Sequence, residues 1–245
     1  FFMAKTEIKD AMLTYMREAA FRPLSAPALA DGMKLSGAAR KAFDPALEEL
    51  EKTAAVIKNR SGLYGLPEHM NLVVGKLSMS GKGYGFIIPD RKGETDTDVF
   101  VPGALLASAM HGDRVVARLS PSPIPGRSRE GEIIRIVERA NTKIVGTFAA
   151  TQSFAFVTPD DQKIGQDVFI PKKAFHGAKT GMKVVAEITK WPEGRHNAEG
   201  AIVEVLGKTG DPGVDVLSVM RQYDLAQEFP DEVQAAAYQV PQTVM

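Results

Sequence analysis

The sequence contains no cysteine, which excludes disulfide bonds and thiolate metal sites. Its apolar runs are only a few residues long, too short for a helix that crosses a membrane. A basic start followed by an apolar segment is also missing, so we expect a cytoplasmic protein. With 44% hydrophobic and 24% charged residues, the composition is that of an ordinary globular protein.

Charge of one sign is not in excess, because the formal net charge is zero. The distribution is uneven, however. Residues 207–245 contain two basic and six acidic residues, so residues 1–206 carry a surplus of positive charge. Net charge alone therefore leaves the partner open, since many nucleic-acid-binding domains are strongly basic and this chain is not.

Motifs that would supply a nucleophile or a nucleotide site are absent, including Gly-x-Ser-x-Gly, the P-loop and the dinucleotide fingerprint. The four histidines lie far apart, and we expect His111 to be structural. Two acidic pairs occur in loops, Asp96 with Asp98 and Asp160 with Asp161. Neither continues as a calcium loop, so we interpret both as solvated turns. We expect no catalytic residue, metal site or cofactor in this chain.

The middle of the chain contains an internal repeat with an offset of 69 or 70 residues. The segment 84–90, YGFIIPD, recurs at 154–160 as FAFVTPD. The segment 98–102, DVFVP, recurs at 167–171 as DVFIP. Two further blocks repeat in the same order. The chain therefore contains two copies of one domain.

Short strands account for each copy. In the first copy they are predicted at 72–77, 84–89, 98–101, 114–119 and 132–137, each bounded by Gly, Pro or Asp. Five short strands in about 70 residues are typical of a small closed barrel of the oligonucleotide-binding (OB) type.

The first 68 residues have a helical period instead. Apolar residues over 8–19 predict one helix, Ser25 is placed to cap a second that ends near Gly32, and Ser36 begins a third. Pro45 predicts a break or kink in that third helix. Residues 56–66 then predict a β-hairpin. Three helices followed by a hairpin predict a winged helix-turn-helix.

We therefore predict an α+β multi-domain architecture. A winged helix-turn-helix over 3–68 is followed by two five-stranded OB-fold, cold-shock-like barrels over 69–140 and 141–206. Residues 207–245 are acidic and poor in apolar residues. We expect that segment to lead into a further domain, with a short helix at 233–238.

Two aromatic residues in the first copy, Tyr84 and Phe86, are separated only by Gly85. Side chains two apart in a strand share a face, and a neighbouring glycine lets a flat group approach closely. Either a core or a platform for stacked bases would produce this pattern. The second copy has Ala155 at the equivalent position and no lysine beside it, so we predict the weaker binder there.

Seven residues are candidates for RNA binding, six through base stacking and the lysine through contact with phosphate: Lys82, Tyr84, Phe86, Phe100, Phe154, Phe156 and Phe169. The candidate phosphate contacts are Lys76, Arg127, Arg129, Arg40 and Lys41. The last two would place the winged helix on duplex nucleic acid. Alternatively its charges are solvated and it serves to dock or regulate, which the acidic residues on the same segment favour. Both alternatives stay open.

Residues 82–87, KGYGFI, resemble the first ribonucleoprotein motif of cold-shock domains, and residues 99–101, VFV, resemble the second. Pro102 and Pro171 stand where that family often has histidine. The order of a winged helix and two cold-shock domains is similar to the N-terminal half of exoribonucleases of the ribonuclease II family.

That resemblance implies that this chain is part of a 3′–5′ exoribonuclease. This part would capture single-stranded RNA and guide it to a catalytic domain. The family's catalytic domain binds magnesium through an aspartate cluster of the kind D-G-x-x-A-R-D-F-D-D-A. The cluster is absent from this sequence, so the resemblance assigns no catalytic residue here. Residues 207–245 would then be the lead-in to that catalytic domain.

Two other functions fit the same sequence. A free-standing cold-shock protein that melts RNA structure would require a reading frame that ends near Met245. A winged-helix regulator with barrel-shaped ligand domains would prefer duplex DNA.

Overall fold

The computed structural model describes residues 2–91, 97–121, 128–194, 196–225 and 233, with side chains from Thr6 onward. By its backbone contacts the chain divides into two compact units. The first comprises residues 1–141 with 163–165, and the second begins at Thr142. In the described part of the chain, no helix has both the length and the apolar character needed to cross a membrane.

The first unit begins with three helices and a hairpin. They are α1 (Phe2–Glu18), α2 (Ala26–Gly32), α3 (Gly37–Lys52), β1 (Ile57–Lys58) and β2 (Tyr64–Gly65). The Ser25 hydroxyl accepts a hydrogen bond from the Ala28 N–H at 3.3 Å, as the capping prediction requires. A shared core includes Met12 and Met16 of α1 and Phe43 of α3.

Helix α3 continues through Pro45, so the predicted break there was wrong. Proline removes one helical hydrogen bond and leaves the carbonyl of Lys41 without its donor. Both residues are exposed, so water can satisfy that carbonyl. The opposite side of α3 buries Phe43, Leu47 and neighbouring apolar residues, and this packing keeps the helix intact.

Barrel 1 completes the first unit. Its strands are β3 (Leu72–Met79), β4 (Gly85–Pro89), β5 (Val99–Val101), β6 (Arg114–Leu119) and β7 (Gly131–Glu138), in the order β5-β4-β3-β6-β7. The Phe100 N–H donates to the Arg129 carbonyl at 2.8 Å, which joins β5 to the start of β7. Leu77, Ile87 and Val115 are among the residues that fill the interior.

Barrel 2 lies in the second unit. Its strands are β8 (Lys143–Ala150), β9 (Phe154–Pro159), β10 (Val168–Pro171), β11 (Met182–Lys190) and β12 (Glu199–Lys208). They close in the order β10-β12-β11-β8-β9. Both predicted five-stranded arrangements are therefore present.

One glycine position recurs in both barrels although the repeat pattern did not reveal it. A Cβ on Gly75 would lie 2.2 Å from the Ile88 carbonyl oxygen, and one on Gly146 would lie 2.3 Å from that of Thr158. Only glycine permits this close approach of two strands. The two positions are 71 residues apart because the following turn is one residue shorter in barrel 2.

The N-terminal segment docks on the outside of barrel 1. Ala54 and Ile57 are buried against Leu72 and Val116, which face outward from β3 and β6. Arg114 donates to the Thr53 carbonyl at 2.7 Å, just after the end of α3. The first unit is thus held together by apolar burial and by a hydrogen bond to the end of α3.

A buried aspartate fixes the loop before β6. Asp113 is fully buried and accepts hydrogen bonds from the Met110 N–H, the Ala140 N–H and the Arg139 guanidinium, each at 2.9 Å. His111 beside it accepts from the Met79 N–H at 3.1 Å. These contacts give both residues a structural role.

The segment after barrel 2 contains a helix that sequence analysis missed. Helix α4 (Val214–Gln222) packs on barrel 2, with Val214 and Ser218 buried. Arg221 donates two hydrogen bonds to the Glu204 carboxylate on β12, at 2.8 and 2.9 Å. The helix predicted at 233–238 lies, apart from Val233, outside the described residues.

We expect α4 to loosen at low pH. The hydrogen bonds from Arg221 lower the pKa of Glu204. The ion pair therefore stabilises the docked helix fully above the unfolded-state pKa of about 4.3, and this stabilisation is lost as the pH falls through the lower folded-state pKa. Hydrogen exchange of the α4 amides, corrected for intrinsic rates, should show protection at pH 6 that declines below about pH 4.

A Glu204→Gln variant serves as the control, because its side chain cannot titrate. Its α4 amides should be less protected at pH 6 and should change little between the two pH values. If the parent chain and the variant show the same pH dependence, the ion pair does not anchor α4.

Candidate nucleic-acid interface

Three rings cluster on the outside of barrel 1. The alternation of β4 and β5 turns Ile87 and Val99 into the core and turns Phe86 and Phe100 outward. Phe86 lies directly opposite Phe100 in the strand pair. Tyr84 joins them from the preceding turn, and the three ring centroids are 5.6–5.8 Å apart. We call Tyr84, Phe86 and Phe100 the aromatic face of barrel 1.

This aromatic face is half-buried and does not belong to the core. The interior of barrel 1 is filled by aliphatic residues of the same strands, whereas all three rings retain solvent exposure. Their planes are inclined to one another by 54–84°. The sequence left open whether these rings form a core or a surface for stacked bases, and the structure excludes the core.

The turn before β4 places a positive charge beside the rings. The Ser80 N–H donates to the Tyr84 carbonyl at 2.8 Å, and Gly83 between them has φ +81°, a conformation that favours glycine. A Cβ on Gly103 would lie 2.4 Å from the Gly83 carbonyl oxygen, so a second glycine makes room for the turn. Lys82 is exposed within this turn.

Barrel 2 repeats the arrangement. Phe154, Phe156 and Phe169, the aromatic face of barrel 2, have ring centroids 5.5–5.9 Å apart and are half-buried. The turn before β9 has no lysine. Two exposed lysines, Lys172 and Lys173, instead follow β10 directly after Pro171, which pairs with Phe154. Sequence analysis missed this pair, although it adjoins the repeated block.

The candidate phosphate contacts occupy several places. Lys76 is exposed on β3, where it pairs with Ile88 near the aromatic face of barrel 1. Arg129 donates to the Asn71 side chain at 3.2 Å and to the Ser120 carbonyl at 3.4 Å.

Two of the remaining candidates lie on the N-terminal helices. Arg40 and Lys41 lie on α3, where Arg40 is 3.5 Å from Asp44 and 5.4 Å from the centre of the Phe43 ring. Arg127 lies outside the described residues.

The acidic residues of the two loops were the only sequence candidates for a metal site, and the structure describes Asp98, Asp160 and Asp161 among them. Among the described residues, no group of three or more His, Asp or Glu side chains is placed to hold a metal ion. Asp160 pairs with Lys183, and Asp98 is exposed. Asp96 lies outside the described residues.

Models of known protein families match both barrels. The model of the Ribonuclease B OB domain matches residues 75–136, and that of the cold shock domain matches residues 156–230. The second match continues past barrel 2 into the α4 region. The chain thus contains two OB-fold barrels in tandem, the second of which matches the cold shock domain.

Curated proteins with similar sequences are ribonucleases R. Ribonuclease R of Acidithiobacillus ferrooxidans is 32% identical over 238 residues, which cover 96% of this chain and 53% of the relative. Ribonuclease R of Thermotoga maritima is 36% identical over 84% of this chain and 28% of the relative. Ribonuclease R of Vibrio parahaemolyticus is 30% identical over 92% and 27%. The chain is therefore homologous to the N-terminal part of ribonuclease R, and it spans between about a quarter and about half of these relatives.

Solved structures support the same fold. The apo form of Mycoplasma genitalium RNase R is 20% identical and aligns with a TM-score of 0.59 over 70% of this chain and 27% of that chain. The same enzyme has been solved in complex with ribose-methylated single-stranded RNA, with the same TM-score. Yeast Ssd1, a pseudonuclease, aligns with a TM-score of 0.54, 19% identity, and coverage of 63% of this chain and 25% of that chain.

The outward position of the rings predicts how substitutions in β4 affect stability. Ile87→Ala should destabilise barrel 1 by about 3 kcal/mol because it leaves a cavity in the core. Phe86→Leu, one residue away, should cost less than about 1 kcal/mol because that ring faces out. Hydrogen exchange of the β3 and β4 amides measures both. A Phe86→Leu variant as unstable as Ile87→Ala would place Phe86 in the core.

Proposed function

We propose that this chain is the RNA-capturing part of a ribonuclease R-like 3′–5′ exoribonuclease. The aromatic faces of the two barrels stack the bases of unpaired RNA, while nearby lysines contact its phosphates. The observation that carries the proposal is the triplet of half-exposed rings, Tyr84, Phe86 and Phe100, beside exposed Lys82 and Lys76.

Physical chemistry favours single-stranded RNA as the partner of such a surface. Base-on-aromatic stacking contributes about 1–3 kcal/mol per base and accepts any base, because every base has a π-face. A paired base is stacked inside a helix and does not offer that face to a protein ring. Lysines beside the rings add attraction to the backbone that weakens as salt increases.

The relatives supply the rest of the proposed context. The curated homologues are ribonucleases R, and the M. genitalium enzyme binds single-stranded RNA in one structure. We infer that hydrolysis takes place in a region of the parent protein outside this chain. Aspartates there would hold magnesium ions that stabilise the attack of water on the terminal phosphodiester. A cytoplasmic location belongs to the same proposal.

We further propose that α1–α3 and the β1–β2 hairpin form a winged helix whose main role is docking. Arg114 and Arg135 of barrel 1 donate to the Thr53 and Glu51 carbonyls at the end of α3. Ala54 and Ile57, which are buried beside these hydrogen bonds, would become exposed to solvent if α3 moved away from barrel 1. Arg40 and Lys41 remain exposed and leave a weaker role on duplex nucleic acid as the alternative.

Substitution of the rings tests the capture of RNA. The pair Tyr84→Ala, Phe86→Ala should weaken binding of an oligouridylate by about 2 kcal/mol or more, about thirtyfold, because two stacking surfaces are removed. Fluorescence anisotropy with labelled RNA at fixed salt measures the change. Ile134→Ala, which removes an exposed apolar side chain from β7, is the matched control and should bind like the parent chain.

Three results would count against the proposal. Unchanged affinity of the double variant would remove the aromatic face of barrel 1 from the site. Magnesium-dependent degradation of RNA by the purified chain would show that an active site is present here. A clear preference for duplex DNA over single-stranded RNA would favour a winged-helix regulator.

A further inference from the structure

A groove of about 610 Å³ opens in the first unit, at the end of barrel 1 where β3 begins and β4 ends. Its wall combines apolar residues with four arginines. Arg17 comes from α1, Arg91 follows β4, Arg114 begins β6 and Arg129 precedes β7. These residues are widely separated in the sequence, and only the fold brings them to one groove.

The wall of the groove is positively charged after its ion pairs are counted. Asp90 is committed to Arg114, whose Nε lies 2.7 Å from the carboxylate. Among the described residues, Arg17, Arg91 and Arg129 form no ion pair with a carboxylate. Glu68 is the other acidic residue on the wall. Counted over the described residues, three guanidinium groups without an ion pair lie on the wall with one carboxylate, and this excess favours an anionic ligand.

Two buried nitrogen atoms on the wall also lack partners. Arg129 Nε and His69 Nδ1 have no hydrogen-bond partner among the described residues. Buried polar atoms are nearly always satisfied, so an orphaned pair in one groove calls for water or a ligand. The exposed ring of Phe21 lies 5.9 Å from the His69 ring and adds a flat apolar surface beside the groove.

The groove begins close to where the aromatic face of barrel 1 ends. Phe86 and Pro89 are three residues apart on β4, which corresponds to about 10 Å along the strand. Ile88, which is 48% exposed, and Lys76 lie between them on the outer surface. On β5, the backbone hydrogen bond from the Phe100 N–H to the Arg129 carbonyl connects the aromatic face directly to the groove.

We propose that this groove holds the phosphodiester backbone of the same RNA strand whose bases stack on the aromatic face of barrel 1. Arg17, Arg91 and Arg129 neutralise phosphates beyond the stacked bases, so the groove lengthens the binding site without reading sequence. The inference rests on the proposed function, because the aromatic face supplies the first contact. A strand suits the groove better than a single small anion because a groove of about 610 Å³ is much larger than one phosphate group.

The test compares a short and a long oligouridylate, of about four and about twelve nucleotides, within the range that one OB fold covers. The variant Arg17→Gln, Arg91→Gln changes two exposed residues and leaves the hydrogen bonds of Arg129 in place. We expect the short oligomer to bind as it does to the parent chain and the long oligomer to bind about tenfold more weakly. The slope of log affinity against log salt for the long oligomer should fall in magnitude by about 1.4, from two lost phosphate contacts on a single strand.

A charge-matched control is Lys52→Gln, Lys208→Gln, which removes two exposed positive charges that do not line the groove. It should reproduce the parent chain with both oligomers. If this control and the groove variant lose affinity equally, the effect is one of net charge, and the inference is overturned.

Other outcomes separate this inference from the proposed function. A parent chain that binds neither oligomer overturns both. Equal binding of the long oligomer by the parent chain and the groove variant overturns the groove alone. The last experiment adds inorganic phosphate at millimolar concentration and constant ionic strength. If phosphate abolishes the higher affinity of the long oligomer and leaves the affinity of the short oligomer unchanged, the groove selects a free anion. The inference then fails.

Discussion

The alternation of side chains along β4 and β5 determines which residues of barrel 1 are buried and which can meet a ligand. It sends Ile87 and Val99 into barrel 1 and leaves Phe86 and Phe100 on the surface. A one-residue slip in register would exchange the two sets, exposing aliphatic residues and burying the rings. The aliphatic core thus fixes the orientation of the rings. Gly85 between Tyr84 and Phe86 faces that core, where an added Cβ would lie 2.8 Å from Leu77 Cδ1.

Much of this architecture could be predicted from the sequence because the repeat exposes it. The blocks at 84–90 and 154–160 fall on equivalent strands, and the aromatic positions within them meet as expected. The missed helix α4 shows the limit of reasoning from composition. An acidic segment still forms a helix when a few apolar residues at helical spacing find a barrel to pack on. Pro45 shows the converse, since tertiary packing overrode a local helix breaker.

The arginine-lined groove could not be predicted, because its residues share no local pattern. Arg17, His69, Arg91 and Arg129 lie on separate elements, and each alone resembles an ordinary solvated charge. Their proximity depends on how the N-terminal segment docks on barrel 1, through buried apolar residues and hydrogen bonds to the end of α3. The groove therefore depends on this docking, because Arg17, Ala54 and Ala55 of the N-terminal segment form part of its wall. The two barrels differ in which segment supplies the lysines beside the aromatic face, because Lys82 precedes β4 in barrel 1 whereas Lys172 and Lys173 follow β10 in barrel 2.

Photocrosslinking of an oligouridylate that carries 4-thiouridine, followed by mass spectrometry of the adducts, shows whether RNA bases stack on the aromatic face of barrel 1. Stacked bases react with the side chains that they touch, so the account predicts adducts on the β4 and β5 peptides that contain Tyr84, Phe86 and Phe100. Weaker adducts are expected on the peptides that contain Phe154 and Phe169. Adducts confined to α3 and the β1–β2 hairpin, with none on β4 or β5, would contradict this expectation and place RNA on the N-terminal helices and hairpin instead.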